Sequence, residues 1–248
     1  MEGSGVTMGT AALPQAAMVL AAGLGKRMRP LTATRPKPLI EVAGRTLLDR
    51  ALDRVRAAGV KRAVVNSHYL ADALEAHLKA RPQAIDIRVS DERAALLETG
   101  GGVAKALPLI DADPFYVVNS DNLWIDGSVD TLALMAAQWD PERMDALLLL
   151  VPLASAHGYE GAGDFHMDPL GRLQRRDTGK VAPFVFSGVQ ILKAGLFEDM
   201  PEGSWSLNRV YDRALAEGRL FGMVHQGLWF HVGTPASVKR TEALLARG

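Results

Sequence analysis

Four apolar residues, Ala17-Met18-Val19-Leu20, run straight into Ala21-Ala22-Gly23-Leu24-Gly25-Lys26-Arg27, and this junction limits the possible folds more than any other stretch. A short apolar run bounded by turn residues reads as a buried strand. Gly23 and Gly25 can take backbone angles closed to other residues and let a ligand approach the main chain. N–H groups of such a turn, with Lys26, Arg27 and Arg29 beside them, suit a polyphosphate. The same residues also describe a tight strand-to-helix turn with solvated basic side chains, so glycine and charge alone leave the choice open. Two phosphate loops are excluded. A Walker A loop needs Ser or Thr after Gly-Lys, and Arg27 stands there. A dinucleotide fingerprint needs Gly or Ala three residues after its second glycine, and that position is Met28.

Downstream, short apolar strands alternate with amphipathic helices. Gly44-Arg45-Thr46 opens a helix with Leu47, Leu48, Ala51, Leu52 and Val55 on one face, and Gly59 ends it. Ala63–Val65 is a second strand. Residues 69–78 form a helix stopped before Pro82. Ile85–Val89 alternates as a third strand. Residues 100–107 read as a short helix, and Phe115–Asn119 as another buried strand. This alternation predicts right-handed βαβ units and a parallel sheet with its ligand crevice beyond the carboxyl ends of the strands. Three segments fall there: the loop after Leu20, Asn66-Ser67-His68, and Asn119-Ser120-Asp121-Asn122. The second half differs. It offers an apolar run at 146–151, a hairpin around Asp168-Pro169-Leu170-Gly171, a strand at 184–192, a helix at 205–216 and two short strands within 220–232, joined near Gln226-Gly227. A last helix starts at Pro235.

The chain has 248 residues, enough for a sizeable core in one domain. Its formal charge is zero, which argues against a nucleic-acid or anionic-membrane surface. It has no cysteine, hence no disulfide framework, thiolate metal site or cysteine nucleophile. No apolar run approaches the roughly 20 residues of a membrane-spanning helix, and the Gly-, Ser- and Thr-rich start lacks a basic signal region. The expectation is a cytoplasmic protein with no nucleic-acid or membrane partner. Residues 1–15 are expected to form a flexible leader before a single domain at 16–248. Monomer and dimer are both left open.

A longer pattern carries a resemblance. The apolar strand, Ala21-Ala22-Gly23-x-Gly25-x-Arg27-Met28-x-Pro30-Leu31-Thr32 and then Pro36-Lys37-Pro38-Leu39 resemble the signature of the sugar-1-phosphate nucleotidyltransferases. Within that family the chain is most similar to the N-acetylmuramate 1-phosphate uridylyltransferases, from about Ala17 onward. The resemblance implies a Rossmann-like, three-layer α/β fold with a mixed, mainly parallel sheet and a small β subdomain for the sugar acceptor. Residues 16–140 would form the nucleotide-binding half and residues 141–248 the sugar-phosphate half. The substrates implied are a nucleoside triphosphate and a sugar 1-phosphate. A phosphate oxygen would attack the α-phosphorus in line while pyrophosphate leaves, chemistry that needs positioning and charge neutralisation more than a base.

Residue by residue, the resemblance puts Arg27 on the triphosphate and Lys37 on a phosphate near the reacting centre; alone, Lys37 also reads as a solvated loop lysine. Leu20, Ala21, Ala22, Gly23, Gly25, Lys26, Asn66 and Asn119 join the nucleotide site. Asp121, just after an apolar strand, suits Mg²⁺, although an Asx-turn explains such an aspartate equally well; the Asn-Ser-Asp context is similar to the family's metal motif. The family usually carries a second aspartate just before Val-Gly-Thr. Here His231 precedes Val232-Gly233-Thr234. Imidazole is a poor Mg²⁺ ligand and a better one for Mn²⁺ or Co²⁺. His231 therefore ligates such a metal, bonds a phosphate or a metal-bound water, or marks a weakened site; the second role is preferred.

Leu97-Glu98-Thr99-Gly100-Gly101-Gly102 is the base-reading candidate, with Glu98 taking a base N–H and the N–H groups of Gly101 and Gly102 serving carbonyls; Thr99 could equally cap a helix. Uracil and guanine both fit that chemistry. The Leu-Glu-Thr-Gly-Gly-Gly wording is similar to the uridylyltransferases, whereas mannose-type guanylyltransferases tend to show Leu-Gly-Thr-Ala-Gly, and this favours UTP. Asn122, Asp164, Ser187 and Gly188 match the sugar site of the muramate-type enzymes. Relatives often hold the sugar phosphate with a Glu-Lys pair that is missing here, with Arg176 or Lys180 as substitutes. The rival readings are a mannose- or heptose-1-phosphate guanylyltransferase and a catalytically weakened nucleotide-binding sensor.

Overall fold

The computed structural model describes residues 13–82 and 84–246. In chain order the strands are β1 (Ala16–Leu20), β2 (Glu41–Val42), β3 (Arg45–Thr46), β4 (Arg62–Ser67), β5 (Asp86–Asp91), β6 (Phe115–Asn119), β7 (Asn122–Ile125), β8 (Ala146–Pro152), β9 (Ala156–His157), β10 (Phe165–Met167), β11 (Leu173–Arg175), β12 (Phe184–Leu192), β13 (Leu220–Val224) and β14 (Leu228–His231). The helices are α1 (Leu47–Ala57), α2 (Ala71–Ala80), α3 (Glu98–Ile110), α4 (Thr131–Gln138), α5 (Asn208–Ala216) and α6 (Pro235–Leu245). Residues 1–12 of the expected leader lie outside the described residues. Gln15 does not behave as leader: its carbonyl accepts from the N–H groups of Lys61 and Arg62.

The main sheet runs β11-β10-β12-β6-β1-β4-β5, with β8 beside β12 and β13 beside β8. Its centre, β6-β1-β4-β5, is parallel throughout. Alternation along these strands explains the layers. Val19, Val65 and Val118 face a core shared with Leu48 and Leu52 of α1, Leu74 of α2 and Leu132 of α4. Met18, Val64 and Val117 face the opposite core with Val103 and Ile110 of α3 and Val210 of α5. Buried on both faces, β1, β4 and β6 read as apolar runs, whereas β5 alternates at the edge. The result is the expected three-layer α/β fold.

The second half is woven into the same sheet: β12 pairs antiparallel with β6, Val189 opposite Val118. The strands at Leu220–Val224 and Leu228–His231 separate. β13 joins β8 in the main sheet, whereas β14 enters a small sheet, β7-β14-β9. That small sheet and α6 cover a third core of Met28, Ile40, Val42, Leu123, Phe230 and Val232.

Local chemistry explains most boundaries. The Thr46 hydroxyl accepts from the Asp49 N–H at 3.0 Å and starts α1. Thr234 and Ser237 cap α6 reciprocally, with Pro235 in its first turn. Three expected helices shift. The one expected at 69–78 runs over Ala71–Ala80, the one expected at 100–107 begins at Glu98 and continues to Ile110, and the one expected from Trp205 begins at Asn208. Trp205 stays outside because its carbonyl accepts from the N–H groups of Gly100 and Gly101. Strand β7 and helix α4 were not expected from the sequence.

Candidate active site

The ends of β1, β4 and β6 are tied together at one rim. The Leu20 carbonyl accepts from both the Ser120 N–H, at 3.1 Å, and the Ser120 hydroxyl, at 2.7 Å. The Ala21 N–H donates to Asn66 Oδ1 at 2.6 Å. A pocket of about 390 Å³ opens at this rim, with Leu20–Gly23, Lys37, Asn66, Glu98, Asn119 and Asp121 on its wall. The three segments predicted at the strand ends therefore converge.

Lys37 reaches that wall from a one-turn helix, Lys37–Leu39, whose Pro38 and Leu39 are buried. The chain is extended at Pro36, immediately before this turn. Lys37 Nζ lies 2.6 Å from Asp121 Oδ2, and the lysine side chain is only 11% exposed. Gly25 makes this approach possible. It has φ +59°, and a Cβ there would sit 3.0 Å from Lys37 Cβ and from Thr32 Cγ2. The loop is fixed from below as well, since the Thr32 hydroxyl donates to the Gly25 carbonyl and the Tyr69 hydroxyl to the Thr32 carbonyl.

His231 ends β14 opposite Asn122 of β7. Burial pushes its imidazole below the ordinary histidine value; the Asp121 charge opposes that shift, and Lys37 and Arg27 add to it. The ring is therefore neutral at pH 7 and within the field of three site residues. Arg27 and His231 share a second groove with Arg240, against Gly158–Gly161.

The sequence signature described as nucleotidyl transferase matches residues 16–247. The chain belongs to that family. The N-acetylmuramate alpha-1-phosphate uridylyltransferase of Caulobacter vibrioides is 48% identical over 236 residues, 94% of this chain and 98% of that protein. The enzyme of the same name from Neisseria meningitidis is 38% identical over 231 residues, 92% of this chain and 97% of that protein. A solved structure of UDP-glucose pyrophosphorylase complexed with UDP-glucose superposes with a TM-score of 0.77, covering 95% of this chain and 99% of that one. At 16% identity that match speaks for the fold alone.

On this nucleotidyltransferase, the base-reading segment divides. Glu98 is exposed on the pocket wall and holds φ +59°. Thr99 does not cap α3; its hydroxyl accepts from the Leu207 N–H at 2.9 Å. Gly101 and Gly102 stand apart from Glu98. Both are buried off the wall, and the Gly101 N–H is taken by the Trp205 carbonyl. A Cβ on Gly101 would overlap the Gly203 carbonyl oxygen, and one on Gly102 would sit 2.8 Å from Glu92 Oε1. At both glycines protein fills the space that a side chain would need.

The sugar candidates differ in their surroundings. Ser187 is fully buried, its hydroxyl accepting from the Val189 N–H at 3.2 Å. Its cause is a bulge: the β12–β8 register shifts between Phe186 and Gln190, and Gly188, at φ +84°, lies under the amides of Asn119 and Asn122. Asn122 is buried there too. Asp164 accepts from the Phe186 N–H at 2.8 Å and faces the Tyr159 hydroxyl at 3.5 Å. Arg176 is spent on the carbonyls of Gly163, Asp177 and Lys180, and Lys180 pairs with Asp177. Of the loop cations, Lys26 and Arg27 are exposed, with Arg27 on the neighbouring groove.

Sequence reasoning missed two wall residues, Leu96 and Ser206, and one buried carboxylate, Glu92. Nothing local marks Glu92, which follows the last residue of an alternating strand. For a metal, no group of three His, Cys, Asp or Glu converges among the described residues. The donor set still suits a hard divalent cation held by Asp121, because Mg²⁺ commonly takes one or two carboxylates and completes its shell with phosphate oxygens and water.

Proposed function

We propose that this nucleotidyltransferase condenses UTP with N-acetylmuramate 1-phosphate, releasing pyrophosphate and a UDP-sugar. The observation that carries the reading is the full-length relationship to a uridylyltransferase at 48% identity, over a pocket that joins Lys37, Asp121 and the Leu20–Gly23 loop. The main chain of that loop and the Lys37 ammonium face the same space, which suits the triphosphate. A sugar 1-phosphate oxygen is already anionic, so attack on the α-phosphorus needs alignment and charge neutralisation and no general base. Lys37 exchanges its carboxylate partner for phosphate when substrate arrives. A divalent cation, Mg²⁺ in this reading, would be held by Asp121 and would supply further neutralisation of phosphate charge. His231, kept neutral, accepts or donates one hydrogen bond to phosphate or to water beside it.

Glu98 is read as the base contact, and the preference for UTP over GTP rests on the relationship to the uridylyltransferases. A non-glycine residue at φ +59° costs about 1–2 kcal/mol, and that cost persists where a side chain serves a function. A carboxylate there accepts the single N–H of uracil. Residues 16–140 then hold nucleotide, and 141–248 contribute the sugar side. Because both substrates are highly charged and do not cross a bilayer, the reading places the reaction in the cytoplasm, within peptidoglycan recycling.

Pyrophosphate release from purified protein, across four nucleoside triphosphates and a panel of sugar 1-phosphates, tests it, with Mg²⁺, with Mn²⁺ and with chelator. Turnover restricted to UTP and N-acetylmuramate 1-phosphate is expected. Preference for GTP with mannose 1-phosphate, or nucleotide binding without release, sinks the reading.

A further inference from the structure

Among the described residues, Glu92 is fully buried, and it has no place in the chemistry above. Its two oxygens accept from two different segments of the pocket wall. Oε1 takes the Asn66 Nδ2–H at 2.7 Å, and Oε2 takes the Leu97 N–H at 3.2 Å, one residue before Glu98. The other end of Asn66, itself 2% exposed, is its Oδ1, and that oxygen holds the Ala21 N–H at 2.6 Å. The main chain of Glu92 is tied as well. Its N–H donates to the Ser67 carbonyl, and its carbonyl bonds His68 Nδ1 at 2.8 Å. Gly102 is the floor of this arrangement, since a Cβ there would meet Glu92 Oε1 at 2.8 Å and Asn66 Nδ2 at 3.0 Å.

We propose that Glu92 is a positioning residue that fixes the phosphate loop and the base wall to one another, and so sets nucleotide affinity. Asn66 has a donor end and an acceptor end, and the Ala21 N–H needs the acceptor end. A carboxylate at position 92 is an acceptor on both oxygens, so it forces the Asn66 amide into the single orientation that serves Ala21. An amide at position 92 cannot do this. With its oxygen toward Asn66, its NH₂ faces the Leu97 N–H, donor against donor. Flipped, it offers NH₂ to Asn66, whose own flip then sets NH₂ against the Ala21 N–H. Either way one buried N–H at the pocket is orphaned, and the isosteric change carries the full cost of an unmade bond. The proposal rests on the nucleotide-binding part of the function above, not on the identity of the sugar.

The test is Glu92→Gln, read by calorimetric nucleotide affinity, by KM for each substrate and by Tm. Nucleotide affinity is expected to fall about tenfold, the scale of one lost bond to a charged group, with KM for the sugar 1-phosphate changed less than about threefold. A purely structural carboxylate would lower Tm and leave nucleotide affinity within about twofold of wild type, or would weaken both substrates alike; either result overturns the proposal. Should the variant not fold, Asn66→Asp with Glu92→Gln carries the test. A carboxylate at position 66 accepts from both the Ala21 N–H and the new amide, while the oxygen of that amide accepts from the Leu97 N–H. The double variant is expected to bind nucleotide more tightly than Asn66→Asp alone; equal or weaker binding overturns the proposal. The affinity arm needs no turnover, so a wrong sugar assignment fails separately.

Discussion

Two glycine segments look alike in the sequence and serve opposite ends. Gly23 stands on the pocket wall with nothing within 4 Å of where a Cβ would be. Gly100, Gly101 and Gly102 are buried, each with a neighbour already occupying the Cβ position: the Trp205 ring, the Gly203 carbonyl and the Glu92 carboxylate. Both segments were expected to meet the nucleotide. A glycine records only that a side chain is excluded. Whether ligand or protein does the excluding is a tertiary fact, absent from the local sequence. Gly25 lies between the cases, in the same loop as Gly23 yet pressed on Lys37.

Gly101→Ala is expected to have the largest effect on stability. Its methyl would meet backbone, which cannot rotate away, so the loop at Gly203 or the start of α3 must shift. Overpacking of this kind costs about 3 kcal/mol, which at this chain length lowers Tm by about 6–12 °C. An unchanged melting curve would show that the segment has slack and that its glycines are free to serve a ligand.

Gly25→Ala should cost about 1–2 kcal/mol from its positive φ alone. Its methyl also presses on Lys37 Cβ, so kcat should fall together with Tm. A fall in Tm with kcat preserved would mean that Lys37 is not held by this contact.

Glu98→Gly inverts the comparison, placing a glycine where the chain carries a strained side chain. It should raise stability by about 1 kcal/mol and lower nucleotide affinity. A gain in stability with affinity intact would remove Glu98 from base reading.

Gly233 extends the packing class to the far wall, since a Cβ there would sit 2.6 Å from His231 Nε2. Burial lowers the His231 pKa below its unfolded value of 6.5. Above pH 6.5 both states hold the neutral ring and nothing changes. As pH falls from 6.5 toward the folded value, the unfolded chain takes up the proton first and stability drains away, levelling off below the folded value. His225 is shifted the same way by burial. Thermal denaturation at pH 7.5 and 5.5 should therefore show a loss in the wild type that is smaller in His231→Gln. Equal losses would mean that His231 titrates freely.

These contrasts mark where sequence reading stops. The strands were legible because β1, β4 and β6 are buried on both faces and read as apolar runs bounded by turns. Lys37 and Asp121 were legible because prolines and a strand end fix them locally. Glu92 and Ser187 were not, since their burial is decided by segments far along the chain. Asn66 lies 26 residues from Glu92. The Ser187 bulge depends on the amides of Asn119 and Asn122. Strand β7 was missed because Leu123 and Trp124 are buried on separate cores beneath a sheet that forms only when β14 arrives.

Gly23→Ala should be the quietest change for the fold and the most telling for the comparison. Its methyl meets nothing in the protein, so Tm should move by less than about 1 °C, within the range of surface substitutions. The same methyl projects where a triphosphate must approach main-chain N–H groups. KM for the nucleotide should rise by roughly tenfold, while KM for the sugar 1-phosphate stays near wild type. If KM is untouched as well, the space beside Gly23 is not the phosphate site, and the pocket must be read from Lys37 and Asp121 outward instead.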